Sequence, residues 1–163
     1  SEEGGLHYCV VLDKINNLSS PTITVAPLTS VKKTTDISKL HRGSIYLGNS
    51  LYNEIHKKFN TLYKKTTAEL NAQIELQKKS KSITQEQKEQ IENIKNEIKL
   101  LNKTCKEIIK MKEGSIILVS QITTVSKIRI YDPKTKYDVL SNIRLSNENL
   151  DKIDEVVKTL YTK

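Results

Sequence analysis

Two short apolar runs near the start of the chain each adjoin side chains that can act on a phosphate. His7 lies at the start of the first run, residues 1–12, and the second run, residues 22–30, ends in Thr29 and Ser30. An imidazole can exchange protons near neutral pH, and hydroxyl groups can stabilise charge that develops on a phosphate. If the two runs pair as neighbouring strands, we expect the histidine and the hydroxyls at one end of a small sheet.

Each of these residues also has a simpler interpretation. His7 fits a strand-edge histidine that is bonded only to backbone. Thr29 and Ser30 fit ordinary turn residues, because serine and threonine are common after strands. The residue types alone leave both interpretations open.

Five short β-branched runs, bounded by Gly, Pro, Asn or Ser, are predicted to be strands. They cover residues 8–12, 22–28, 44–47, 115–122 and 127–131. Five such strands followed by one terminal helix indicate an α+β protein built on a small, strongly bent SH3-like β-barrel.

The segment from 50 to 112 differs from the rest, because its apolar residues recur at helical spacing and residues 51–111 contain no Gly or Pro. A heptad seam is predicted at Ile91, Ile94, Ile98, Leu101, Cys105 and Ile108, and a looser stripe at Ile55, Phe59, Leu62, Thr66, Leu70 and Ile74. Thr84 and Gln87 have the spacing of a capping box that would start a second helix. We therefore expect a long antiparallel helical hairpin, residues 50–112, inserted into a barrel made of residues 1–49 and 113–163.

The positive charge is concentrated in the predicted hairpin. The whole chain of 163 residues has a formal net charge of +8 and an isoelectric point of about 9.3. Residues 50–112 hold 14 Lys and 8 Glu, whereas the flanking segments hold 13 basic and 11 acidic residues. A polyanionic partner is therefore expected mainly at the hairpin, unless its lysines only form a solvated face.

Other sequence features bear on compartment and cofactors. Cys9 and Cys105 lie in different predicted elements and are expected to be buried free thiols, as in a reducing cytosol. There is no apolar run of about 18 residues and no apolar leader, so we expect a cytoplasmic protein with no membrane contact. No Cys or His cluster has metal-ligand spacing, and no Gly-rich nucleotide loop is present, so no cofactor is expected.

Four segments in order resemble the MazF/PemK family of toxin ribonucleases. The family's Gly-Gly-x-Arg-Pro turn and Val-rich strand correspond to Gly4 onward, with His7 in the place of the arginine and Tyr8 in the place of the proline. Its Ala-x-[Leu/Ile]-Thr strand corresponds to residues 26–29, and its Gln-Ile-x-Thr-Ile-x-Lys strand to residues 113–127. Residues 145–160 resemble its closing helix. The resemblance covers residues 1–48 and 113–163.

This resemblance implies a function. Members of the family cut single-stranded RNA without a metal, leaving 2′,3′-cyclic phosphate and 5′-hydroxyl ends, and they pair as homodimers that an antitoxin protein silences. The catalytic threonine of the family matches Thr29, and His7 would transfer protons in place of the arginine. Gln121 and Thr123 resemble positions along the family's RNA groove, although a solvated strand face would look the same. Ser30 offers a hydroxyl and a backbone donor to the RNA, and Lys127 offers a charge for a phosphate, although surface charges are more often only solvated.

A second function remains open. CcdB-type toxins have the same kind of barrel but act on a topoisomerase, so the fold by itself does not select the activity. A barrel that lacks the arginine also fits a non-catalytic module that binds protein or nucleic acid through the hairpin. The position of His7 relative to Thr29 distinguishes the two interpretations, because catalysis needs both in one open groove.

Overall fold

The computed structural model describes residues 6–17, 19–80, 82–112 and 114–162, which form an α+β protein. The predicted Gly4-Gly5 turn lies outside these residues. The described elements, in chain order, are β1 (Cys9–Val11), β2 (Thr22–Ser30), a 3-10 turn (Ile37–Lys39), β3 (Ser44–Gly48), α1 (Ser50–Lys79), α2 (Gln85–Lys110), β4 (Ser115–Leu118), a 3-10 turn (Val119–Gln121), β5 (Thr123–Ser126), a 3-10 turn (Lys127–Arg129) and α3 (Asn147–Tyr161).

The chain divides into two compact units. The sheet unit consists of Ser1–Tyr52, Lys112–Tyr131 and Arg144–Lys163. The helical unit consists of Asn53–Met111 and Asp132–Ile143. The helical unit therefore includes a loop, residues 132–143, that follows the sheet strands in sequence.

The sheet unit contains an antiparallel sheet with the strand order β1-β2-β4-β3, and β5 pairs with β2 off this path. In the described ladders, β1 pairs only with β2 and β3 pairs only with β4. The two end strands, β1 and β3, do not pair with each other, so the sheet is open. It is not the closed barrel that the sequence predicted. The α+β class expected from the sequence is confirmed.

Strand β2 takes part in two successive ladders along its length. Val25 lies opposite Thr123 on β5, and Leu28 lies opposite Ile117 on β4. An advance of three residues along β2, from Val25 to Leu28, thus corresponds to six residues of the opposite segment, from Thr123 to Ile117. The three additional residues are those of the 3-10 turn Val119–Gln121, which lets the chain change its register against β2.

This change of register explains two errors in the predicted strands. The expected strand 115–122 ends at Leu118, and the fifth strand is Thr123–Ser126 rather than 127–131. The segment from Lys127 begins instead with a 3-10 turn. β-branched composition favours extended backbone, but it carries no information on where a strand must shift against its neighbour.

Pro27 lies inside β2, where a proline usually removes a ladder hydrogen bond. The amide of Leu28 donates to the carbonyl of Tyr8 at 2.8 Å, towards β1. Backbone groups alternate in direction along a strand, so the nitrogen of Pro27 points to the other side. Neither β4 nor β5 pairs with residue 27 in the described ladders, so the missing donor costs no sheet hydrogen bond.

The helical insertion begins and ends at adjacent points of the sheet. Gly48 at the end of β3 lies opposite Ser115 at the start of β4, and the side chain of Asn49 accepts a hydrogen bond from the Gly114 amide at 2.8 Å. Gly114 has a φ of +77°, and a Cβ there would lie 2.8 Å from the side chain of Val31. Only glycine satisfies both conditions.

The core of the sheet unit includes a row of side chains that crosses three strands. Leu28, Ile117 and Ile45 lie side by side on β2, β4 and β3, and all three are buried. Ile153 of α3 is also buried. Burying each such side chain contributes roughly 1.5 to 3 kcal/mol, so this row is the main apolar support of the sheet.

In the helical unit, α1 and α2 run antiparallel with polar contacts in their seam. The carboxylate of Glu97 accepts hydrogen bonds from Thr66 Oγ1, at 2.9 Å, and from Lys65 Nζ. Gln73 Nε2 donates to Gln90 Oε1. The second contact lies seven residues further along α1 and seven residues earlier on α2. A seven-residue repeat of contacts is the pattern of a coiled coil.

The buried positions of α2 match the predicted seam only in part. Ile94, Glu97, Leu100 and Thr104 are buried, whereas Ile98 is 38% exposed. Apolar spacing alone placed Ile98 in the seam. The hydrogen bonds of Glu97 draw this carboxylate into the contact with α1 and rotate Ile98 outward.

The start of α2 agrees with the sequence prediction. Thr84 Oγ1 accepts a hydrogen bond from the Gln87 amide at 3.2 Å, and Gln87 Oε1 accepts one from the Thr84 amide at 2.8 Å. These reciprocal bonds form the predicted capping box. An N-cap of this kind typically contributes about 1 kcal/mol to helix stability.

The Lys65–Glu97 pair makes the stability of the helical unit depend on pH. Burial acts to raise the pKa of Glu97, but the hydrogen bonds from Lys65 and Thr66 outweigh it, and the pKa lies below its ordinary 4.5. The hydrogen bond to Glu97 raises the pKa of Lys65 above its ordinary 10.5. The stability that Glu97 contributes is complete above pH 4.5 and is lost as the pH falls through its lowered pKa. The stability that Lys65 contributes is complete below pH 10.5 and is lost as the pH rises through its raised pKa.

We therefore expect thermal melting of the helices, followed by circular dichroism, to occur at lower temperature as the pH falls below about 4.5. Glu97→Gln removes this carboxylate and should weaken that acid dependence. Glu92→Gln, which changes an exposed carboxylate of the same helix, is the matched control and should retain it. Equal acid dependence in the wild type and Glu97→Gln would contradict the assignment.

The loop 132–143 is held to α1 by one ammonium group. Lys58 Nζ donates to the carbonyls of Asp138, Val139 and Ser141, each at 2.8 Å. Within the loop, the Asp132 carboxylate accepts the amide of Val139 at 3.1 Å. Burial lowers the pKa of Lys58, and the charges of Asp132 and Asp138 oppose that shift. All three ammonium protons thus have carbonyl acceptors.

Both cysteines are free but exposed, so the expectation of buried thiols is wrong. Cys9 lies in β1, at the edge of the sheet. Cys105 directly follows the buried Thr104 on α2 and points away from the seam. Partial desolvation still raises the pKa of the Cys9 thiol. Apolar neighbours in the sequence suggested that both thiols are buried. The edge position of β1 leaves Cys9 exposed, and the orientation of α2 leaves Cys105 exposed.

Candidate active site

The pairing of β1 with β2 runs towards His7 and Thr29 at one end of the sheet. Cys9 lies opposite Pro27, and the amide of Leu28 bonds to the carbonyl of Tyr8. Beyond the described ladder, the same register continued from Tyr8 and Leu28 would set His7 opposite Thr29. Directly opposed residues in an antiparallel pair have Cβ atoms about 5 Å apart. This register therefore favours a position of the two residues near each other at one end of the sheet.

His7 and Thr29 are both accessible from solvent. His7 is exposed and Thr29 is half-buried. Among the described residues, no side chain forms a hydrogen bond with the His7 imidazole, although the His7 carbonyl faces the Cys9 thiol at 3.9 Å. The imidazole and the Thr29 hydroxyl are thus available to a ligand rather than committed to the fold.

The backbone of Thr29 is less available than the sequence suggested. Thr29 pairs with Ile116 and Ser30 pairs with Ser115, so both residues lie inside β2 and not beyond its end. The backbone groups of Thr29 alternate with those of Leu28 and point towards β4. Thr29 therefore offers a hydroxyl but no free amide. The amide of Ser30 points to the β1 side, beyond the first residue of β1, Cys9.

Two predicted RNA-binding residues lie further away, Thr123 on β5 and Gln121 in the 3-10 turn before it. Thr123 is exposed and lies opposite Val25 on β2. Val25 is four residues from Thr29, which is about 13 Å along a strand. Gln121 is exposed in the 3-10 turn between β4 and β5, so its expected alternation with Thr123 along one strand is wrong. Both are separate from the pair of His7 and Thr29.

Lys127, the other predicted RNA-binding residue, contacts the loop between β1 and β2. Its Nζ donates to the carbonyl of Asn17 at 2.5 Å, and its amide donates to the carbonyl of Pro21 at 2.9 Å. These two bonds fix the loop against the start of the third 3-10 turn. The ammonium group would have to leave Asn17 to bind a phosphate.

Two lysines that the sequence analysis did not single out follow Thr29 and Ser30 closely in the sequence. Lys32 and Lys33 are exposed and directly follow Val31, one residue after the end of β2. Neither lysine forms an ion pair with any residue the structure describes. In the same loop, hydrogen bonds from Ser38 lower the pKa of Asp36. The signal that was missed is a pair of lysines immediately after the Thr-Ser end of a strand.

Other parts of the described chain show less chemical organisation. No group of three or more His, Cys, Asp or Glu side chains among the described residues is arranged to hold a metal ion. An open cavity of about 380 Å³ next to α3 is lined by Leu12, Asp13, Thr24 and Tyr161 among others. The Asp13 carboxylate there accepts the Thr24 amide at 2.8 Å, so it is already used by the fold.

The pair of His7 and Thr29, with Ser30 and the two lysines, is the arrangement best suited to act on a phosphate. No family model, curated protein or solved structure matches this chain. No helix within the described ranges is both long enough and apolar enough to span a membrane. Function must therefore be inferred from the site.

Proposed function

We propose that this protein is a toxin-like, metal-independent endoribonuclease that cuts single-stranded RNA. The observation that supports the proposal is the register of β1 and β2, which, continued from Tyr8 and Leu28, would set the exposed His7 opposite Thr29. The resemblance of residues 1–48 and 113–163 to the MazF/PemK family supports it. In this proposal the open sheet is a variant of the SH3-like barrel of that family.

The reaction is a transesterification within the RNA. The 2′-oxygen attacks the adjacent phosphorus and loses its proton, the bond to the 5′-oxygen breaks, and the departing 5′-oxygen gains a proton. The products are a 2′,3′-cyclic phosphate and a 5′-hydroxyl end. His7 transfers protons in this step, and the Thr29 hydroxyl donates a hydrogen bond to the phosphate as negative charge builds up on it.

The surrounding residues bind the RNA chain. Lys32 and Lys33 attract its phosphates, and the Ser30 amide and hydroxyl are positioned for the phosphate next to the one that is cleaved. Thr123 and Gln121 contact the strand further along the sheet. In keeping with the family resemblance, we also propose a cytoplasmic homodimer that a cognate antitoxin blocks by covering this groove.

The direct test is cleavage of a mixed-sequence RNA in the presence of EDTA, with both new ends identified chemically. We expect cleavage to persist and to give 2′,3′-cyclic phosphate and 5′-hydroxyl ends. Common contaminating ribonucleases give the same ends, so the activity must also fall in Thr29→Val purified in the same way. We expect a fall of about 10²- to 10³-fold, because one well-placed donor to a developing charge is lost.

A second outcome would replace the proposal. If purified protein has no activity on any RNA while the sheet is folded, the protein is a non-catalytic binding module. The observation that favours this second candidate is that the helical unit leaves an apolar surface exposed.

A further inference from the structure

The polar contacts between α1 and α2 define which side of the helical unit remains uncovered. The seam includes Thr66 and Gln73 on α1, and Glu97 and Gln90 on α2. A residue that directly follows a seam position is rotated by about 100° from the seam. Because the helices are antiparallel, this rotation brings the residues that follow the seam on α1 and on α2 to the same side of the hairpin.

These residues are apolar on both helices. Tyr63 and Leu70 lie three residues before the seam residues Thr66 and Gln73, which rotates them by about 60° towards this same side, and they are 56% and 41% exposed. Ile98 follows Glu97 on α2 and is 38% exposed, and Ile74 beside Leu70 is 43% exposed. We call this side of the hairpin the apolar stripe. Its members are Tyr63, Leu70, Ile74, Ile91, Ile98 and Cys105.

Lysines border the apolar stripe on both helices. On the outer flank of the stripe lie Lys64 and Lys78 of α1, and Lys88, Lys95, Lys99 and Lys106 of α2. Within the part of the chain that the structure describes, Lys78 and Lys95 pair with Glu75 and Glu92, and the other four have no ion pair. The stripe therefore combines an apolar centre with unpaired positive charge at its edges.

The opposite side of the hairpin is already engaged within the helical unit. Lys58 binds three carbonyls of the loop 132–143, and Lys103 lies 3.8 Å from the Asp138 carboxylate. Both lysines lie on the side of the seam away from the apolar stripe. One side of the hairpin thus has a partner within the unit, and the more apolar side has none among the described residues.

We propose that the apolar stripe binds an acidic amphipathic helix of another protein. The apolar face of such a helix would fill the stripe, and its Glu and Asp side chains would meet the lysines on both borders. This is the helix-in-groove mode of recognition, read by anchors at helical spacing. The proposal goes beyond the ribonuclease activity and does not depend on it.

Charge favours this occupant over two others. In a second copy of the hairpin the stripe has the same lysine borders, so self-association would bring lysines against lysines. RNA phosphates would meet the lysines but would leave the apolar centre of the stripe unfilled. A helix with an apolar face and acidic flanks satisfies both features at once.

The test measures binding of a designed peptide to the full-length protein by fluorescence anisotropy. The peptide has four heptads with Leu and Ile at its apolar positions and Glu on its flanks, which gives about 42 Å of helix. A second peptide has the same composition in scrambled order, so that it carries equal charge but no apolar face. We expect the amphipathic peptide to bind at least about tenfold more tightly than the scrambled one.

Matched variants locate the binding site. Leu70→Ser with Ile98→Ser should weaken binding of the amphipathic peptide by about tenfold or more. Ile83→Ser is the control, because Ile83 is 51% exposed in the turn between the helices and lies outside the stripe. Lys88→Gln with Lys99→Gln should reduce the salt dependence of binding, whereas Lys79→Gln with Lys110→Gln should not. Circular dichroism confirms that each variant keeps its helices.

Three results would overturn the proposal. Equal binding of the two peptides would mean that charge alone attracts them. Equal affinity of Leu70→Ser with Ile98→Ser and of Ile83→Ser would place the site elsewhere. If ultracentrifugation shows a dimer of the wild type that Leu70→Ser with Ile98→Ser dissociates, the stripe is covered by a second copy of this chain.

Discussion

His7→Ala is expected to lower the rate of RNA cleavage by about 10²- to 10⁴-fold, the usual contribution of a general acid or base. The imidazole is exposed and has no side-chain hydrogen bond among the described residues. Removing it should therefore disturb the chemistry and not the fold. The measurement is the single-turnover cleavage rate of a defined RNA at saturating protein, with folding followed by circular dichroism.

The control for this prediction is a second histidine. His56 is exposed on α1, in the helical unit, so His56→Ala removes an imidazole without touching the proposed site. We expect its cleavage rate to equal that of the wild type. Equal rates in His7→Ala and His56→Ala would remove His7 from the reaction.

A double variant tests whether His7 and Thr29 act together. If both act on the same phosphate in the same step, the combined loss in His7→Ala with Thr29→Val should be smaller than the product of the single losses. Independent action would give the full product. That result would mean that the two residues face each other in the sheet without sharing a substrate group.

Lys58→Met is expected to cost the helical unit about 2 to 3 kcal/mol of unfolding free energy. Methionine has nearly the same length but leaves the carbonyls of Asp138, Val139 and Ser141 without their shared donor. Amide hydrogen exchange should rise across residues 132–143. Chemical denaturation, followed by helical circular dichroism, measures the loss.

Two further variants make this prediction specific. Lys57→Met changes the exposed neighbouring lysine and should have little effect on stability. Lys58→Arg should not restore full stability, because a planar guanidinium cannot direct three protons to three carbonyls as a compact ammonium does. Wild-type stability in Lys58→Met would show that the three bonds are replaced by water at no cost.

Local patterns predicted those parts of the fold that local chemistry determines. Helical spacing identified α1 and α2, and the capping box of Thr84 and Gln87 gave the start of α2 correctly. The open sheet, the position of β5 and the rotation of Ile98 depend on pairings between distant residues. These pairings cannot be read from a single sequence. Strand β2 pairs with both β4 and β5, and Glu97 forms hydrogen bonds with Lys65 and Thr66 of the other helix.

In the candidate site, too, the sequence predicted the local features but not the contacts between distant residues. The residue types of His7, Thr29 and Ser30 indicated phosphate chemistry, and their placement at one end of the sheet follows from the β1–β2 register. The bond from Lys127 to Asn17 was not predictable, because the two residues are far apart in sequence. Lys32 and Lys33 were visible in the sequence but carried no helical or strand periodicity.

The helical insertion leaves the sheet at Gly48 and returns to it at Ser115, which lie opposite each other. The length of the helices can therefore change without a change in the sheet. The contacts of Thr66 with Glu97 and of Gln73 with Gln90 repeat after seven residues, so deleting seven residues from each helix would preserve every later contact. Each such step shortens the insertion by about 10 Å. An engineered series of this kind would keep one sheet while shortening the helical arms by whole heptads.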